Sequence, residues 1–544
     1  MRIAISLFLG LSSVVCVAAD VTTPTAAELK TLAQSGARIG TITIVPGDVF
    51  DPSRPGEDKA VYRLANRLHI DTRQETIRRV LLFKSGEAFQ PRLLAESERL
   101  LRGRKQIQDA KIRVVAVRGQ EVDVEVRTQD VWSLEPEISF GRSGGQNKSS
   151  FGIKESNLLG MGYSISLSYF DSVDRSGEEF DLVTPELGSR RWRANVSYAD
   201  NSDGRAYAFS AARPFYAFDT PWAFSLGASD QTYDQYLYEL GEKTEGFAVD
   251  ARRAEVSLGR AIDLGHTTPT RTKALRWYVG LAEDQALFQR LADLSPLPTI
   301  DLAPRDLVYP FVGLEYAEDK FATTENRDAM GKTEDLQLGW YASLRIGASR
   351  ESFGAGEDSW VYRFLASRTF QLNDFSSIGV NVDLSGRRTD QGLRDGRSQL
   401  DLRWDYRWND LTTSHFSYQL VKGQNLDADH ALYLGGDNGL RGYPLRYASG
   451  DKISLFSAEQ RFYTDWYPWQ LFKVGAAVFA DVGANHFDGR PDPSGTLRDV
   501  GIGLRLFNTR SSLAKVIHID LATPLDGDPS IDKVQLLVRT QSSF

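Results

Sequence analysis

Cysteine is almost missing from this chain: Cys16 is the one thiol in 544 residues. It lies within residues 1–19, which read as a secretory signal. Arg2 supplies the charged start, Ile3–Val15 is mostly apolar, and Val17-Ala18-Ala19 offers small residues before Asp20. Cleavage there leaves a mature chain that can form neither a disulfide nor a thiolate metal site. A lipoprotein signal using Cys16 fits less well, because Val15 stands where a small residue is expected. Long apolar runs are missing too. Beyond the signal no stretch of about 18 apolar residues occurs, so no spanning helix is expected. An exported chain of this kind is either periplasmic or an outer-membrane barrel. Histidine is scarce, six in all, and no two stand at metal-ligand spacing. There is no Gly-x-Ser-x-Gly elbow and no phosphate-binding glycine loop. The chain is therefore read as no enzyme, with no cofactor and no metal. A net charge of −8 speaks against nucleic acid as a partner.

What is present is alternation. Charged residues make up 25% and mean hydropathy is −0.33, which suits a soluble protein. A transmembrane barrel has the same bulk values, because its strands alternate apolar and polar. Aromatics at 11% and 46 glycines lean towards β structure. From Leu134 onward the period is two. Ile378, Val380, Val382 and Leu384 face one way, and Asn381, Asp383 and Ser385 the other. Leu400, Leu402, Trp404, Tyr406 and Trp408 alternate with Asp401, Arg403, Asp405 and Arg407. In a soluble sandwich those charges would form a solvated exterior. In a barrel they line a wet lumen while the aromatic row faces lipid.

Before the barrel the pattern differs. Asp20–Ala37 reads as a flexible leader. Ile39–Val45 reads as a strand and Asp48–Asp58, with two prolines, as a loop. Thr72-Arg73-Gln74-Glu75 fits a capping box ahead of Ile77, Val80 and Leu81. Pro91 opens a second helix carrying Leu93, Leu94, Leu100 and Leu101, which Gly103 can end. Strands follow at Lys111–Val117 and Glu121–Thr128.

The densest signal is Leu434–Pro444, Leu-Gly-Gly-Asp-Asn-Gly-Leu-Arg-Gly-Tyr-Pro, with four glycines and one cation, Arg441. By itself it could be a surface loop. Five alternating segments follow it: Lys452–Phe462, Phe472–Val482, Asp499–Phe507, Lys515–Leu521 and Lys533–Phe544. The second predicts Phe472, Val474, Ala476, Val478 and Ala480 outward, with Phe479 and Asp481 inward. The last ends on an aromatic. Asp427, Asp429 and His430, just before the loop, read as a solvated face.

Loop, strand count after it and aromatic terminus together resemble the BamA/TamA family of outer-membrane assembly and translocation barrels. The strand–helix–helix–strand–strand order is similar to that family's POTRA module. The resemblance implies a mainly β chain: signal peptide 1–19, leader 20–37, POTRA-like periplasmic domain 38–130, and a transmembrane antiparallel β-barrel at 131–544. It implies about 16 strands, although the alternating segments number nearer 20. Either the barrel is larger than its relatives or, as is favoured here, the surplus forms hairpins projecting beyond the membrane, the candidates being Glu178–Thr184, Arg191–Ala199, Gln399–Trp408 and Ser414–Val421. By resemblance, Arg441, Gly442 and Tyr443 form a loop folded into the lumen, with Arg441 locked to Asp481. Glu459 and Arg461 could extend that network or form a plain cross-strand pair. Leu536, Val538 and Phe544 resemble a terminal β-signal, recognised by barrel assembly machinery. The implied partners are outer-membrane lipid, that machinery, and an unfolded or secreted client. The implied function is protein insertion or translocation. A passive channel or structural barrel is the alternative, and a membrane-embedded hydrolase lacks its triad.

Overall fold

The computed structural model describes residues 25–188, 191–262, 273–291, 301–487, 495–512, 515–526, 529 and 531–541. The signal segment and Phe544 lie outside them. Two bodies follow one another: a small α+β domain up to Asp130, then a barrel.

The domain sheet places Glu121–Asp130 in the centre, parallel to Arg38–Val45 and antiparallel to Ile107–Arg118. Val122, Val124 and Val126 alternate inward and are all 0% exposed. They pack on Ile77, Leu94 and Leu101 from the helices Gln74–Val80 and Pro91–Arg102. Each such burial contributes roughly 1.5–3 kcal/mol. Pro91 takes the first turn, as its missing N–H allows, and Gly103 ends the helix. Three readings change here. The leader holds a helix, Ala26–Gln34, capped by Thr25 and Glu28, with Leu29 and Leu32 against the domain core. A further helix, Ala60–Leu68, follows the proline-rich loop. Thr72 caps nothing: its N–H donates to Asp130 Oδ2 (2.8 Å) and its hydroxyl accepts from Asn157 Nδ2 (3.1 Å), so the helix begins at Gln74 uncapped. A contact across the domain boundary has outcompeted the local one.

The barrel closes with 20 strands, all antiparallel, from Leu134–Ser143 to Gln535–Gln541. This corrects the count of about 16. The four stretches taken for projecting hairpins lie in the wall, within Ser176–Leu187, Trp192–Asn201, Gly392–Asn409 and Thr412–Gln424. Each carries the same period-two alternation as its neighbours and pairs with them in register, so the barrel is the larger of the two alternatives. Strands of up to 20 residues, as at Glu242–Ala261, exceed the roughly 9–11 needed to cross a membrane.

The wall stands on the domain. Asn157 is fully buried, donates to Ile70 O (2.9 Å) and accepts from Gly162 N (2.9 Å). Gly160 has φ +70°, and a Cβ there would stand 2.5 Å from Asp71 O. Only glycine lets that turn meet the domain so closely. Arg510 adds an ion pair to Glu57 at 2.6 Å.

Candidate functional site

Consecutive turns alternate between the domain end of the barrel and the far end. The segment between Thr412–Gln424 and Lys452–Tyr463 enters from the far end and folds into the lumen. Leu434, Leu440 and Tyr443 are at most 1% exposed and form its apolar core with Tyr447. Gly442 is forced by contact: a Cβ there would sit 2.6 Å from Asp499 Cβ, and its N–H donates to Asp499 Oδ2 (3.0 Å). Tyr443 Oη donates to Arg498 O (3.0 Å) and also contacts the Asp526 carboxylate.

That path delivers Arg441 to the inner wall. Its Nε donates to Asp481 Oδ2 at 2.7 Å and its Nη2 to Oδ1 at 3.0 Å, a fork on a carboxylate. Its Nη1 donates to Glu459 Oε2 at 2.7 Å, and the guanidinium lies 3.3 Å from the Phe479 ring centroid. Arg441 is 5% exposed and Asp481 is 0% exposed. Glu459 also accepts from Arg461 (3.0 Å) and Arg505 (3.2 Å), and Asp520 pairs with Arg505 and Arg539. Charges this dry require each other, because one left alone would have to be desolvated without compensation. The structure thus brings Arg441, Gly442, Tyr443, Asp481, Glu459 and Arg461 together. The contributions of Arg505, Asp520 and Arg539 went unread, although each occupies an inward position of an alternating strand.

A second segment enters from the domain end and was not anticipated. Residues 319–340 carry the hairpin Phe321–Thr324 with Glu334–Gln337. Its tip reaches the lumen below Arg441. Arg327 Nε pairs with Asp405 (3.0 Å), Asp328 with Arg403, and Arg327 O accepts from Arg461 Nη1 (3.0 Å). Met330, 2% exposed, packs with Tyr463, Phe507 and Val516. Glu334 holds the tip by accepting the N–H groups of Arg327, Asp328 and Ala329. The base of the same hairpin rests on the domain. Asp335 takes a fork from Arg102 (2.6 and 2.9 Å), Asp319 pairs with Arg99 (2.6 Å), and Arg99 lies over Phe321. One polar chain therefore runs from domain helix Pro91–Arg102 through the hairpin and Arg461–Glu459 to Arg441. The turn residues Asn326 and Gly331 were its one sequence signal.

Asp427, Asp429 and His430 do not form a solvated face. The Asp427 and Asp429 side chains are 9% and 5% exposed. Arg305 bridges them, Arg387 adds a fork to Asp427, and His430 Nδ1 meets Asp395 at 2.9 Å. Cations from distant strands neutralise them, which local sequence does not reveal. Burial works against the charged form of His430. The hydrogen bond and charge of Asp395 outweigh it and hold the pKa above the ordinary imidazole value.

The barrel closes where its last strand meets its first. Gln535–Gln541 pairs with Val516–Ala522 over seven positions, but among the described residues its ladder with Leu134–Ser143 registers one pair, Val538 with Arg142. Leu536 faces outward at 41% exposure, while Leu537 is fully buried against Phe479 and Ala522. The re-entrant loop touches the first strand as well, through Ser143 Oγ donating to Gly436 O.

The family model described as Omp85 superfamily domain matches residues 157–535. No curated protein matches the chain. Among solved structures it is similar to CdiB from Escherichia coli, at 14% identity over 93% of this chain and 76% of that one, with TM-score 0.47. CdiB from Acinetobacter baumannii gives 14% over 92% and 73%, with TM-score 0.41. BamA from Haemophilus ducreyi lacking POTRA domains 1-3 gives 13% over 93% and 84%, with TM-score 0.39.

Proposed function

The chain belongs to the Omp85 superfamily of outer-membrane β-barrels, and from that premise we propose that it inserts or translocates proteins at the outer membrane. The observation that carries the reading is the seam. Strand edges elsewhere in the wall are paired over long stretches, whereas among the described residues, which end at Gln541, the first and last strands share a single registered pair. A weakly paired edge offers free main-chain donors and acceptors to an incoming strand. The α+β domain acts in this reading as a periplasmic POTRA-like module that receives the unfolded client. Arg441, Gly442 and Tyr443 lock the loop against Asp481, with Glu459 and Arg461 completing the network. The loop reaches both sides of the seam region, since it contacts Ser143 of the first strand and Asp526 just past the penultimate one. A lumen filled from both ends speaks against a passive channel.

The test is a disulfide across the seam, Arg142→Cys with Val538→Cys in a Cys16→Ser background. A strain depleted of the protein and complemented with the bridged variant should lose the same outer-membrane or secreted proteins as the depleted strain. Reduction should restore them. A bridged barrel that supports the wild-type proteome would refute lateral opening.

A further inference from the structure

The helix Ala60–Leu68 has one face that nothing covers. At about 100° per residue, Val61, Leu64 and Leu68 fall within an arc of about 60°. They are 62%, 55% and 67% exposed, unusual for three large aliphatic side chains on one small domain. A neighbouring face is spent on packing. Tyr62 is buried against Phe50, with Ala65, Trp132 and Leu471 around it. Arg67 flanks the apolar stripe on the other side, and Arg63, which donates to Asp58 O, and Lys59 complete an exposed basic face beyond it; no acid lies within residues 59–68. In a chain of net charge −8 this is a local excess of positive charge. Apolar stripe plus flanking cations is the pattern of a helix that lies in a membrane interface.

Position supplies the occupant. Tyr62 Oη donates to Trp469 O at 2.9 Å, which ties the helix to the turn joining strands Lys452–Tyr463 and Phe472–His486. That turn exposes Trp466 (66%) and Trp469 (72%). The neighbouring turns at the same end expose Leu411, Trp408 and Phe375. Such a row is the aromatic girdle that marks where a barrel leaves the hydrocarbon. The helix continues it. We infer that Ala60–Leu68 is an interfacial anchor, seating Val61, Leu64 and Leu68 in the leaflet at the domain end while Arg63 and Arg67 take anionic phospholipid headgroups. It would hold the domain against the membrane surface with a fixed orientation to the seam.

The experiment uses the full chain in a Cys16→Ser background, reconstituted in vesicles of phosphatidylethanolamine and phosphatidylglycerol. A nitroxide is attached at Leu64→Cys or, as an aqueous reference, at Ser53→Cys. Accessibility to oxygen relative to a water-soluble nickel chelate should be several-fold higher at position 64. Vesicles of phosphatidylcholine alone should narrow the difference, as should Arg63→Gln with Arg67→Gln. Heat-modifiable migration confirms that each variant keeps its barrel. A label at position 64 as aqueous as that at position 53 would overturn the inference. So would protection found only in cell envelopes and not in vesicles, which would assign the face to a protein. A lipid-protected label that ignores headgroup charge would overturn the role of the two arginines.

Discussion

Arg441→Ala tests the luminal lock most directly. It removes the fork on Asp481 and the bond to Glu459. Glu459 keeps Arg461 and Arg505, so the loss falls on Asp481, which is 0% exposed and retains the Ser457 hydroxyl. Removing one partner of a buried ion pair costs about 3–5 kcal/mol, and the hydrogen bond that Asp481 keeps from Ser457 sets the lower end, about 3 kcal/mol. That free energy opposes release of the loop rather than unfolding of the wall. At 1.4 kcal/mol per factor of ten it raises the population of released loop about 100-fold. The amide of Gly442, bonded to Asp499, reports that opening by hydrogen exchange in nanodisc-embedded protein. Asp481→Ala leaves Arg441 with Glu459 and should cost less, about 1–2 kcal/mol. The double variant should fall short of the sum by about 1.5 kcal/mol or more. Exchange at Gly442 within about twofold of wild type in Arg441→Ala would refute the argument, as would simple additivity.

Gly442→Ala should act through shape alone: a Cβ 2.6 Å from Asp499 Cβ displaces the loop, raising protease cleavage within 435–447 while the barrel keeps its heat-modifiable migration. The hairpin at 319–340 should close the lumen from the domain end. Replacing 325–332 by a short glycine–serine turn should raise conductance in planar bilayers, and Asp335→Ala, which removes the fork from Arg102, should do so partially. His430, with its pKa raised in the folded state, contributes stability that is complete below the ordinary imidazole value and lost as pH rises through the folded one. Protection of residues 425–432 should therefore weaken as pH rises above the ordinary imidazole value of about 6.5, and His430→Asn should flatten the dependence.

Period-two alternation is a local property, and it settled most of the architecture. It separated inside from outside along Leu400–Trp408 and Phe472–Asp481, where Trp404, Trp408 and Val478 are exposed and Asp405 and Asp481 are buried. It also supplied the number of strands, which resemblance then understated. The glycines of Leu434–Pro444 marked a chain that can approach another backbone closely, while the match of its Arg to Asp481 came only from the family resemblance.

Other features depended on residues far apart in sequence. Asp427 and Asp429 looked solvated because Arg305 and Arg387 stand 122 and 40 positions from Asp427. The hairpin at 319–340 left no reading in the sequence, because its partners lie on a domain helix more than 200 residues earlier. Thr72 looked like a helix cap until Asn157 and Asp130 competed for it. Alternation and turn chemistry are set by neighbours along the chain, so the sequence alone indicated a barrel and its inner face, and the loop's entry into the lumen only through resemblance. Which charge meets which is set by closure of the cylinder, because a buried ion accepts whatever counter-ion the folded geometry brings within reach. Only the tertiary structure could decide that.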